Sequence, residues 1–116
     1  MVICQCDSLE TQQARKARAT ELGVRIAWEH NINGFQCMQL HPADTGGAFF
    51  ELDWDSKGQP QGHWEPAGGD DWPAARRTEV ISDFSAIELQ SHEPQSLAQR
   101  WSSVAGIPLE KDSHER

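Results

Sequence analysis

The chain has 116 residues, of which 37% are hydrophobic and 24% charged, which is typical of one soluble globular domain and does not indicate a disordered chain. Its 18 acidic and 10 basic residues give a net charge of −8, which disfavours nucleic acid and anionic membranes as partners, because phosphate contacts need a basic surface. No apolar run reaches the roughly 18 residues of a membrane span, and no signal peptide opens the chain, so we expect a cytoplasmic protein whose three cysteines stay as free thiols.

The chain opens with strand and helix signals in turn. Residues 2–6 are a short β-prone run, and residues 8–22 contain no Gly or Pro and many helix formers, so we predict a helix that covers one side of a sheet. Asp7 and Glu10 have the spacing of a capping box at the start of this helix. Gly23 stands where a left-handed C-cap would end it.

Alternation of apolar and polar residues then predicts three strands, at residues 24–28, 35–40 and 48–54. The sequence NING at residues 31–34 is a turn signal, and residues 41–47, with one proline and two glycines, are a predicted loop. In the last strand, successive side chains point to opposite faces of the sheet. One set is Phe50, Leu52 and Trp54, and the other is Phe49, Glu51 and Asp53.

The second half begins with a stretch of different composition. Residues 55–79 are rich in Gly, Pro and Trp and are predicted to be a connector that packs through its aromatic side chains. Residues 80–91 regain strand character, and residues 96–105 have apolar side chains at helical spacing, with Pro94 in the first turn. Residues 107–111 could begin another strand. We therefore interpret residues 1–54 as a complete βαβββ module and residues 80–116 as the start of a second, incomplete one.

Five motifs carry a resemblance to a known family. They are Cys6-Asp7-Ser8-Leu9, Glu21-Leu22-Gly23-Val24-Arg25, Leu40-His41-Pro42, Thr45-Gly46-Gly47 and Phe50-Glu51-Leu52. In order and spacing they resemble the vicinal-oxygen-chelate (glyoxalase / bleomycin-resistance / dioxygenase) superfamily, in particular methylmalonyl-CoA epimerase-like proteins. The resemblance implies an α+β fold in which βαβββ modules form a curved mixed sheet, with the helices on its outer face.

The resemblance also implies partners and a cofactor. Two modules of this family pair into a cup, and this chain carries about one and a half, so we expect either a homodimer that completes the cupped sheet or a partial gene product. The cup would hold a small metabolite, such as an acyl-CoA or a 2-oxo compound. The cofactor would be a divalent metal: Zn, Ni, Co, Mn or Fe.

Glu51 is the implied metal ligand, and four further residues are predicted to line the ligand site. They are Phe49, Asp53, Cys37 and Gln39. The opposing interpretation of Glu51 is a carboxylate that faces solvent on an uncovered sheet. The histidine ligands that the resemblance implies would fall at Met1 and Ala86, so this sequence departs from the family's ligand set.

Other polar residues allow competing interpretations. Asp53 and Asp55 could form an acidic rim for proton transfer or a solvated strand end. Cys4 and Cys6, with Cys37, could bind a soft metal or be small buried thiols. His41 is predicted to have a structural role in its turn, and the four other histidines to be surface residues.

Two function hypotheses follow. The first is a metal-dependent lyase or isomerase of the glyoxalase/epimerase type, in which the metal polarises two vicinal oxygens of the substrate. The second is a non-catalytic small-molecule-binding or interaction module of the same superfamily that has lost the metal site. The missing histidines favour the second hypothesis.

Overall fold

The computed structural model describes residues 1–110 and has an α+β fold, as predicted. Its strands are β1 (Val2–Gln5), β2 (Ile26–Ile32), β3 (Phe35–Leu40) and β4 (Phe50–Asp55). They form one mixed sheet in the order β1-β4-β3-β2, in which β1 and β4 are parallel and the other neighbours antiparallel. The predicted succession of strand, helix and three strands is confirmed, whereas the sheet is open and uncurled instead of curved into a cup.

Helix α1 (Leu9–Glu21) crosses from β1 to β2 and has a different cap from the predicted one. Ser8 is the N-cap, and its hydroxyl accepts a hydrogen bond of 3.0 Å from the backbone N–H of Thr11. Asp7 instead accepts from the Thr11 hydroxyl. The capping box at Asp7 was wrong because a serine directly after it is an equally good cap and lies one residue closer to the helix. Gly23, with φ of +71°, follows the helix as predicted.

A tight hairpin joins β2 to β3. Asn33 and Gly34 have φ of +52° and +87°, the left-handed backbone that a two-residue hairpin turn of this hand requires. Strand β2 begins and ends later than the predicted 24–28. Its end is later because pairing continues to Ile32, which lies opposite Phe35. Val24 lies in the bend after the helix, where its N–H donates to the Ala19 carbonyl.

Both helices pack on the same face of the sheet. Helix α2 (Pro94–Ala105), confirmed with its end at Gly106, places Trp101 against Phe50 on β4. The buried apolar core consists of Cys6, Ala19, Val24, Met38, Leu40, Phe50, Leu52, Trp101 and Val104. Neither helix within residues 1–110 has the length and apolar composition needed to cross a membrane.

The strand predicted at residues 80–91 is absent, so that prediction was wrong. The segment pairs with neither edge strand, and Val80 and Phe84 are each 95% exposed. An alternating sequence shows that a segment fits a sheet, but a strand also needs a neighbour for its backbone hydrogen bonds. Residues 107–110 form no strand either, and Lys111 lies outside the described residues.

Candidate metal centre

The sheet face opposite the helices carries polar side chains at its centre. They form three rows. The register aligns Ile3, Glu51, Gln39 and Trp28 in the first row and Asp55, Phe35 and Ile32 in the last. Between them, Gln5 pairs with Asp53 and Cys37 with His30, and the ligand atoms of Asp53 and Cys37 lie close together. Strand β4 supplies one carboxylate to each row because its odd-numbered residues all point to this face. This is the face that the alternation in the sequence predicted for Glu51 and Asp53.

Three potential metal ligands meet in the middle of this face. One ligand atom each of Cys37, Glu51 and Asp53 lies within 4.8 Å of the others. All three residues are buried, and Asp53 is only 1% exposed. A buried pair of carboxylates is costly unless protons, hydrogen bonds or a cation compensate the charge.

Neighbouring groups donate hydrogen bonds to some of the carboxylate oxygens in this cluster, but not to all of them. Gln39 Nε2 donates to Glu51 Oε1 at 2.9 Å, and the backbone N–H of Met38 donates to Asp53 Oδ1 at 3.1 Å. The second oxygen of Asp53, Oδ2, is buried and finds no hydrogen-bond partner within residues 1–110. A buried oxygen left in this way marks a place for a proton or a cation.

The electrostatics of the cluster lead to the same conclusion. Burial, with a smaller contribution from the Glu51 carboxylate, raises the pKa of Asp53 to about 7. Burial and then the two carboxylates raise the pKa of Cys37 to about 12. Both shifts favour the protonated forms of Asp53 and Cys37, and a metal would have to displace those protons.

The donor set fits a divalent transition metal. One thiol sulfur and two carboxylate groups match the ligand preferences of zinc, iron and related ions, and three protein ligands would leave a position for a small molecule. Glu51 and Asp53 are already oriented by Gln39 and by the Met38 N–H, as ligands usually are.

The structure thus brings four of the five predicted site residues together. Glu51, Asp53, Cys37 and Gln39 adjoin one another, while Phe49 lies one residue before β4 and is 47% exposed. The opposing interpretation, a solvated Glu51, was wrong, since this residue is 8% exposed. So was the solvated strand end at Asp53 and Asp55, because both are buried.

The three cysteines do not converge. Cys6 belongs to the apolar core and Cys4 packs against it, whereas Cys37 lies on the opposite face of the sheet. All three are free, as predicted. His41 has the predicted structural role, since its Nδ1 accepts from the Ala43 N–H at 3.1 Å.

Sequence reasoning missed a second cluster beside Asp55. His63 was predicted to be a surface residue, yet its side chain is only 16% exposed and lies within 4.8 Å of Asp55 and Glu65. Hydrogen bonding to Asp70 raises the pKa of His63. The one signal in the sequence was a His-x-Glu pair soon after an aspartate, which without a periodic pattern around it is too common to stand out.

No protein-family model, curated protein or solved structure matches this chain. The vicinal-oxygen-chelate resemblance stays a prediction.

Proposed function

We propose that the sheet face opposite the helices binds a small, oxygen-bearing metabolite at a divalent-metal centre formed by Cys37, Glu51 and Asp53. The observation that carries this proposal is the buried Oδ2 of Asp53, which finds no hydrogen-bond partner in the described part of the chain and adjoins two further ligand groups. A cation at that point would compensate the paired carboxylates. The metabolite class that the glyoxalase-like resemblance suggests is an acyl-CoA or a 2-oxo compound.

The surroundings of the centre suit a small molecule. Small-molecule sites combine an apolar lining with a few polar groups. Here Ile3 and Trp28 stand at the two ends of the row that contains Glu51 and Gln39, and they are 39% and 53% exposed. Trp28 also stacks on His30, with ring centroids 5.1 Å apart, which gives a ligand a flat aromatic surface at the β2 edge.

In the proposed reaction, the metal would polarise the substrate and the chain would position the metal's ligands. When bound, a divalent metal polarises two adjacent oxygens of a substrate, as a glyoxalase/epimerase-type lyase or isomerase needs. Gln39 holds the Glu51 carboxylate in place, and the backbone of Met38 holds Asp53. Burial of Cys37, Glu51 and Asp53 places the ligand atoms in surroundings less polar than water.

The second candidate function is a non-catalytic binding protein of the same kind. It is favoured by the lack of histidine at the two positions, Met1 and Ala86, where the resemblance implies histidine ligands. Met1 is 74% exposed, and Ala86 lies on the exposed segment without strand pairing, so neither position adds a ligand to the centre. Such a protein would hold the metabolite without turning it over.

Metal analysis of purified protein tests the proposal. We expect one bound Zn, Ni, Co, Mn or Fe per chain at this centre, reduced at least tenfold in affinity by Glu51→Gln or Asp53→Asn, as typical for loss of a ligand or its orientation. Glu88→Gln, an exposed acid on the 80–91 segment, is the matched control. Oxalate, a probe with two adjacent oxygens, should bind only to the metal-loaded protein. Wild-type affinity in both variants would contradict the proposal.

We further propose a homodimer, as the partly complete set of modules predicts. The sheet has open edges at β1 and β2, and exposed Ile32 and Phe49 adjoin the polar rows. Light scattering at micromolar concentration tests this, and a monomeric mass would contradict it. A cytoplasmic location stays a prediction.

A further inference from the structure

A second group of ligands lies at the end of β4, where the chain turns back over the sheet. Residues 56–62 form a turn that returns His63 and Glu65 to Asp55, and one ligand atom of each residue lies within 4.8 Å of the others. We propose that Asp55, His63 and Glu65 form a divalent transition-metal site, separate from the centre at Glu51. Its three protein ligands would fasten the connector to the sheet.

The spacing of the ligand atoms fits a metal better than direct hydrogen bonds. His63 Nε2 lies 3.4 Å from Asp55 Oδ2 and 3.5 Å from Glu65 Oε2. Hydrogen bonds from nitrogen to oxygen are usually about 2.7–3.2 Å long. A tetrahedral ion with bonds of about 2.1 Å separates its ligand atoms by about 3.4 Å. The gap between imidazole and carboxylates therefore has the size of an ion's coordination shell.

The imidazole is oriented as a ligand. His63 Nδ1 lies 2.8 Å from Asp70 Oδ1, so it can donate its proton there and leave Nε2 as an unprotonated acceptor. Nε2 is buried and has no hydrogen-bond partner within the described residues. Both nearest neighbours of this atom are carboxylate oxygens, which cannot donate to it when ionised.

Backbone hydrogen bonds also fix the carboxylate of Asp55. Its side chain is 3% exposed, and the two oxygens accept backbone hydrogen bonds from Lys57 at 2.9 Å and from Glu65 at 3.1 Å. Backbone donors of this kind set the direction of a carboxylate before an ion arrives, which lowers the entropy lost on binding. Glu65 is the exposed member, with 61% of its side chain accessible, so the site opens to solvent on that side.

The competing explanation is a protonated imidazole held among carboxylates. Both explanations place His63 near Asp55, Glu65 and Asp70, but they differ in the state of Nε2. An imidazolium carries a proton on Nε2 at every metal concentration, whereas a ligand exchanges that proton for the ion. One nitrogen and two carboxylate ligands suit Zn²⁺, Co²⁺ or Mn²⁺ better than Ca²⁺ or Mg²⁺, which take oxygen ligands almost alone.

The experiment is a titration of chelator-treated full-length protein with Zn²⁺, and with Co²⁺ as the coloured probe. We expect one equivalent that disappears in His63→Gln and binds at least tenfold more weakly in Glu65→Gln. Asp70→Asn, which removes the orienting partner, should weaken it roughly 10- to 100-fold. His92→Gln, a histidine on an exposed segment, is the matched control and should leave it unchanged.

Two further measurements separate this site from the other centre and from the imidazolium. The equivalent should remain in the Glu51→Gln/Asp53→Asn double variant, and the nitrogen-15 signals of His63 should change from proton-bearing to metal-bound Nε2 on Zn²⁺ addition. Unchanged affinity in Glu65→Gln, an exposed position that the fold tolerates, would overturn the proposal. So would a wild-type protein that binds no ion here, or loss of all ions in the double variant.

Discussion

Phe50 and Trp101 stack face to face, with ring centroids 4.0 Å apart and planes inclined by 6°. This contact joins α2 to the central strand β4. Trp101 also donates from its indole N–H to the Thr45 carbonyl at 3.1 Å, so its ring is fixed at both ends. Residues 94–105 therefore contribute to the same core as the first half of the chain.

Truncating Trp101 should remove this connection. We expect Trp101→Ala to lower the free energy of unfolding by about 3–5 kcal/mol, the usual cost of deleting a buried aromatic side chain. Trp101→Phe, which keeps a ring but loses the hydrogen bond, should cost less. Phe84→Ala, at a side chain 95% exposed, is the control and should stay within about 0.5 kcal/mol of wild type. Urea unfolding measures all three, and equal losses in Trp101→Ala and the control would contradict the packing argument.

Gln12 links α1 to two strands through one buried amide. Its Nε2 donates to the carbonyl oxygens of Gln36 and Leu52, each at 2.9 Å. We expect Gln12→Leu to cost about 1–3 kcal/mol of stability, because two carbonyls lose a donor and the one on Leu52 is buried away from water. Gln13→Leu, one residue away on the exposed side of the helix, should be nearly neutral. Equal effects of both substitutions on thermal unfolding would show that the two hydrogen bonds of Gln12 do not contribute to stability.

The Arg25–Asp44 pair should make stability depend on acid pH. Hydrogen bonds from the Arg25 side chain and backbone hold the pKa of Asp44 below its ordinary value. A carboxylate with a lowered folded pKa stabilises the protein above its unfolded pKa, near 4, and loses that contribution as the pH falls toward the folded value. Below about pH 4, wild type should lose stability more steeply than Asp44→Asn. Asp83→Asn, an exposed acid, should follow wild type, and parallel curves for all three would refute the prediction.

Alternation allowed the sequence to predict one side of the candidate centre. A period of two places Glu51 and Asp53 on one face wherever β4 begins, so an error of two residues in its boundary did no harm. Gln39 pairs with Glu51 in the structure, and Cys37 lies two residues before it, so both share this face of the sheet. The prediction of a strand at residues 80–91 was wrong because a strand needs a neighbouring strand to pair with, and no local pattern specifies that neighbour.

The connector shows the other limit of sequence-based prediction. Glycines and prolines between residues 55 and 79 indicate turns, but their directions depend on positive φ values such as +91° at Gly68. The return of His63 to Asp55 depends in the same way on the backbone path of residues 56–62, which composition alone does not specify. The Ser8 cap was missed on a smaller scale, because adjacent Asp and Ser are equally suitable caps and only the backbone direction selects one.

Asp53 should limit the stability of the metal-free protein. Its Oδ2 is buried without a hydrogen-bond partner in the described chain and lies close to a second carboxylate. Asp53→Asn removes the acidic group, keeps an oxygen for the Met38 N–H, and adds an amide that can donate toward Glu51. We expect the variant to be about 1–2 kcal/mol more stable than wild type at neutral pH in the presence of a chelator, measured by denaturant unfolding. Adding Zn²⁺ should reverse the order, because a bound ion stabilises only the protein that holds it. A variant less stable than wild type under both conditions would show that the carboxylate serves the fold and is not kept for a ligand.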